Sequence, residues 1–130
     1  MVQQQEKRVH FTIEDAVDVS ARVLGLQLDL CAGSRATVGG DRFAIGYLWG
    51  FCGGALTALR VLDAGLYTVF DIVCRQLLPE CDARRALAGI PGMAADADFQ
   101  DGEATGIADA IRCVELDQPP IGLVLHLSRS

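Results

Sequence analysis

Apolar and polar positions alternate with a helical period through most of this chain. Between Ile13 and Cys31 the charged residues Glu14, Asp15, Asp18, Arg22 and Asp29 fall within about 100° of arc at roughly 3.6 residues per turn. The rest of that segment is apolar apart from Ser20 and Gln27, a surface wide enough to meet more than one neighbour. Thr12 is a good N-cap, and Asp15 stands where its carboxylate can return a bond to the cap backbone. Gly33 suits the position after the helix end. Gly39-Gly40 breaks the loop that follows, and Asp41 can cap a second helix over about 42–62. That helix is apolar all round and should be the most buried element.

The second half carries the same signals less regularly. Phe70, Val73, Cys74 and Leu77 make an i, i+3, i+4, i+7 face. Thr68 and Asp71 repeat the cap pair, which starts this helix just after Thr68. Pro79 should end or kink it near Leu78. A short segment over about 81–88 is then closed by Gly89 and Pro91-Gly92, and a last helix spans about 98–116. Gln118-Pro119-Pro120 stops the helical pattern. The tail Ile121-Gly122-Leu123-Val124-Leu125-His126-Leu127 is strongly apolar with no helix cap, so it reads as a strand or extended arm that must pack on its own domain or on another chain.

Sliding the chain against itself by 56 residues aligns three clusters without gaps. Phe11–Val17 falls on Tyr67–Val73, Ala32-Gly33 on Ala88-Gly89, and Phe43, Gly46 and Gly50 on Phe99, Gly102 and Gly106. Each cluster lies where a helix should start, stop or pack, which points to an internal duplication. The expected fold is all-α: two tandem helix–loop–helix repeats, 11–62 and 67–118, form a four-to-five-helix bundle. An extended apolar C-terminal tail, 119–130, follows, and the first nine residues are disordered. Residues 10–130 form one helical domain.

Glycine inside a helix costs about 1 kcal/mol relative to alanine, so its recurrence at one register needs a compensating reason. Close backbone approach is the usual one. Gly46, Gly50, Gly102 and Gly106 are therefore expected to line a crossing between the second helix and the last. Tyr47 and Trp49 interleave with these glycines. Together with Ser20 and Gln27, the two polar residues on the uncharged side of the first helix, they are the candidates for an aromatic-lined ligand pocket.

Composition narrows the function classes. The net charge of -6 over 130 residues, with basic pairs only at Lys7-Arg8 and Arg84-Arg85, argues against nucleic acid. The stretch Phe43–Leu59 has no charge, but it is short for a bilayer and rich in glycine, so a buried helix is expected and no membrane. Five cysteines without a CxxC pair, and an N-terminus with no apolar stretch behind it, suggest free thiols in a reducing cytoplasm. Cys81, near a helix start, is the best candidate for a reactive thiol, though an inert one is the commoner outcome. Asp96, Asp98, Asp101, Glu103 and Asp109 cluster, but Asp98, Asp101, Thr105, Asp109 and Arg112 form an ordinary solvated stripe and no calcium-loop pattern exists. His10 and His126 stand far apart with no ligand spacing. No phosphate loop or nucleophile elbow occurs. No metal and no cofactor are expected. The reading that follows is a non-enzymatic helical protein acting through protein association, as a homodimer. The alternative is a small-molecule-binding bundle using the aromatic-lined pocket, and an enzyme ranks third.

Overall fold

The computed structural model describes residues 10–31, 37–61 and 65–129. The expected disorder of 1–9 and the stop at Gly33 lie outside the described residues, and the second helix ends at Ala58, one turn short of the expected 62. Within them the chain is all-α. Its helices are α1 (Ile13–Asp29), α2 (Arg42–Ala58), α3 (Leu66–Leu77), α4 (Glu80–Met93), α5 (Ala97–Leu116) and α6 (Gly122–Ser128), with a single 3-10 turn at Val38–Gly40 before α2.

Local chemistry explains most of the starts. Thr12 and Asp15 form a complete capping box at α1. Asp41 caps α2 by accepting from the Ala44 N–H at 3.0 Å, and Asp96 caps α5 by accepting from Phe99 at 3.1 Å. Both carboxylates also meet the positive end of their helix. α3 departs from expectation. It begins at Leu66 behind an extended Gly65, so Thr68 lies inside the first turn instead of capping it. Asp71 then bonds Arg75 one turn on, at 2.7 Å, in place of a cap backbone.

Two further expectations are corrected. α4 does not stop at Gly89 but runs through Pro91 to Met93. The proline sits in the last turn, where it removes only one main-chain bond, and Ile90 anchors that turn in the core. The tail is not extended. Residues 122–128 form α6, whose first-turn N–H groups are satisfied by side chains from distant helices instead of by a local cap.

α2 is the hub. It packs against α1, α3, α5, α6 and the 3-10 turn, and its contact with α5 is the most extensive between any two elements. α1 also packs on α3, and α4 on α3 and the 3-10 turn. A single apolar cluster joins Leu24 and Leu28 of α1, Leu48 and Phe51 of α2, Phe70 and Val73 of α3, Phe99 of α5 and Leu123 of α6. No helix among the described residues is long and apolar enough to cross a membrane.

Candidate functional site

The α2–α5 crossing is built on main-chain contact. A Cβ at Gly46 would collide with the carbonyl oxygen of Phe99, and one at Gly50 with that of Glu103. The converse also holds: a Cβ at Gly102 would collide with the Phe43 carbonyl, and one at Gly106 with that of Tyr47. Gly54, one turn further on, would place its Cβ 2.7 Å from the Ile107 carbonyl. Residue numbers rise together along both helices, so α2 and α5 run parallel. Each glycine seats the Cα of one helix against a carbonyl of the other, a geometry that favours weak Cα–H···O contacts.

Beside this crossing lies a buried polar network. Tyr47, on α2, is fully buried, and its hydroxyl donates to Asp109 Oδ2 of α5 at 2.6 Å. The same hydroxyl accepts from Gln27 Nε2 of α1 at 3.0 Å. Both partners also hold α6. Gln27 Oε1 accepts from the N–H groups of Leu123 and Val124, each at 3.1 Å. Asp109 Oδ2 accepts from the Gly122 N–H at 3.0 Å, and Asp109 Oδ1 from Arg112 at 2.7 Å. Burial and the neighbouring Asp109 carboxylate push the Tyr47 phenol far above its ordinary range. It therefore remains a neutral donor, which the carboxylate beside it requires.

The opposite end of α6 is held differently. His126 Nε2 lies 2.8 Å from Asp41 Oδ2, and its ring stacks on Phe43 at 4.2 Å. Asp41 thus serves two helices, capping α2 and binding α6. An open cleft of about 980 Å³ borders this end, and its walls include Arg42, Arg85, Asp82 and Arg129. Arg42 pairs with Asp96 and Arg85 with Asp82, so much of its charge is matched within the cleft's own surroundings.

The four residues expected to line a pocket are not brought to one place. Gln27 and Tyr47 meet, but α6 occupies the space beside them. Trp49 lies on another face, edge-on to Tyr67 at 5.0 Å and to Phe70 at 5.2 Å. Ser20 is fully buried, and its hydroxyl meets no partner in hydrogen-bonding geometry. Its neighbour is the Cys52 thiol, which burial pushes up to about 12 against a smaller opposing effect of that hydroxyl.

Asp109 departs from the solvated stripe that its spacing with Asp98, Asp101, Thr105 and Arg112 suggests, for it is buried. The buried face of α5 runs through Phe99, Gly102, Gly106 and Ala110, and Asp109 lies at its edge with the spacing i, i+3, i+7, i+10 from Phe99. Read from the apolar side, the same residue belongs to the core, and a buried carboxylate calls for a donor such as Tyr47.

All five cysteines are free. Cys74 is raised by burial and by its neighbour Cys52, and Cys113 by partial burial and the Asp117 carboxylate. Cys81 is exposed in the first turn of α4 beside Asp82. Among the described residues no three His, Cys, Asp or Glu side chains gather as a metal site.

No family model matches the chain, and no curated protein or solved structure matches it either.

Proposed function

We propose that this chain is a non-enzymatic helical protein that works by associating with a second copy of itself, in the cytoplasm. One observation carries the reading. Large apolar side chains stand in solvent at the end of α1, the end of α5 and on α6, the elements that meet around Gln27 and Asp109. Leu26 is 60% exposed, Leu30 75%, Leu116 61%, Ile121 55% and Leu125 49%. Apolar side chains left in solvent on three elements favour a protein interface over a free surface. Three of the polar groups on these elements support the same reading, because Gln27, Tyr47 and Asp109 are engaged in holding α6. The glycine contacts that exchange between α2 and α5 under the 56-residue offset support a duplicated origin for the two halves.

Light scattering at low micromolar concentration tests the association. A dimer is expected for the native chain, and a monomer of unchanged helix content for the double variant Leu26→Asp, Leu30→Asp. A native chain that scatters only as a monomer would sink the proposal.

A further inference from the structure

α6 is held by three kinds of contact, and each reads a different property of the helix. Asp109 and Gln27 read main-chain N–H groups at residues 122, 123 and 124. Leu123 and Leu127 are buried in the apolar core. Asp41 and Phe43 read the His126 ring. Residue 122 must be glycine, because a Cβ there would stand 2.7 Å from Asp109 Oδ2 and 2.8 Å from both Thr105 Cγ2 and Tyr47 Cε2. Together these contacts select a short helix with Gly-Leu-x-x-His-Leu. The chain carries that pattern once, at 122–127. The socket and its occupant are thus written in the same sequence, and a partner certain to present a matching helix is a second copy.

The connection between α5 and α6 suits an exchange. Asp117 turns the chain out of α5 in a left-handed conformation, φ 55°. Pro119 and Pro120 have no N–H to donate, cannot prolong α5, and favour a stiff extended path. Residues 117–119 are exposed. An α6 seated in a neighbour's socket makes every contact it makes in its own, so the exchange is opposed mainly by the loss of free motion of one copy. The exposed Leu116, Ile121 and Leu125 flank the connection and would be covered between the copies, which offsets that loss.

We infer that the α6 socket is an intermolecular site, in which residues 122–127 of each copy seat against Gln27, Tyr47, Asp109 and Asp41 of the other. This rests on the homodimer reading and specifies its geometry.

A cross-link separates the two. Cys31 Sγ lies 3.9 Å from the Ser128 hydroxyl across the socket wall, so Ser128→Cys places two thiols within reach of a disulfide after a small rotation. The exposed Cys81 is removed by Cys81→Ser to suppress random linkage. The oxidised full-length protein is then run on a denaturing gel without reductant and compared with its light scattering. Exchange predicts a scattering dimer whose chains migrate mainly as a covalent dimer, collapsing to monomers with reductant and absent in a Cys31→Ser control. A scattering dimer whose cross-linked chains migrate as monomers keeps the homodimer and overturns the exchange. A scattering monomer overturns both. A protein that forms no bond between positions 31 and 128 of different copies overturns the exchange as well.

Discussion

Single atoms decide the two most constrained places in this structure. At Gly50 an added methyl would meet the Glu103 carbonyl, Cα and carbonyl carbon, all main chain within a helix, so nothing nearby can yield cheaply. Intrinsic propensity would reward Gly50→Ala by up to about 1 kcal/mol on an open surface. Here steric cost prevails, and a net loss of about 1–3 kcal/mol is expected in chemical denaturation. A raised melting temperature for Gly50→Ala would remove the close crossing. At Tyr47 the hydroxyl joins three helices through Gln27 and Asp109. Tyr47→Phe keeps the ring but takes one donor from the buried Asp109 carboxylate and the acceptor from the Gln27 amide N–H, at a cost of about 1–3 kcal/mol. The phenol also carries a pH signature. Its folded-state pKa is raised above the ordinary 10.0, so its contribution to stability is complete below that value and declines as pH rises above it. Denaturation midpoints measured from pH 8 to pH 11 should fall more steeply for the native protein than for Tyr47→Phe, and equal slopes would contradict the assignment.

At the level of elements, sequence and structure agree where the start signal is local. Thr12, Asp41 and Asp96 each cap the helix that follows them, and each cap is a carboxylate or hydroxyl within four residues of the N–H it satisfies. Legibility fails where the partner is remote. α6 has no local cap, and the groups that receive its first turn lie 13 to 97 positions away in sequence. No window along the chain could reveal it as a helix. Thr68 fails for the opposite reason: a good cap residue was present, but Gly65 allowed an earlier start. Tyr47 and Trp49 stand two positions apart on α2, about 200° around the helix, so the helical period itself sends them to separate faces and argues against one pocket holding both. The α5 cap offers a test at this scale. Asp96 lies below the usual carboxylate range because the Phe99 N–H and Arg42 favour its charged form. Its contribution is therefore present above the ordinary value of 3.8 and lost as pH falls through the lower folded-state value. Asp96→Asn should be less stable near neutrality and should lose less of its stability on acidification. An unchanged acid titration of stability would show that the cap and the Arg42 pair contribute nothing.

For the whole molecule, the association reading makes stability depend on concentration. A dimer that melts to unfolded chains should show a melting temperature that rises with protein concentration, and calorimetry over a hundredfold dilution series measures it. An invariant melting temperature would leave a monomer as the cooperative unit. The parallel α2–α5 pair has a consequence of another kind, for how the chain is made. Partners in the glycine ladder stand about fifty residues apart, so α2 is synthesised well before the helix that covers its glycine face. At 5–20 residues per second the delay is roughly 3–10 s, during which the most apolar segment of the chain has one side uncovered. Loop closure over that distance adds to the wait, because distant contacts form after near ones. Nascent chains arrested before Ala97 should therefore bind a hydrophobic-segment chaperone, and chains arrested beyond Leu116 with α5 free to fold should release it. In this protein the glycines that permit the tightest contact in the finished molecule also mark the interval of greatest exposure during its birth.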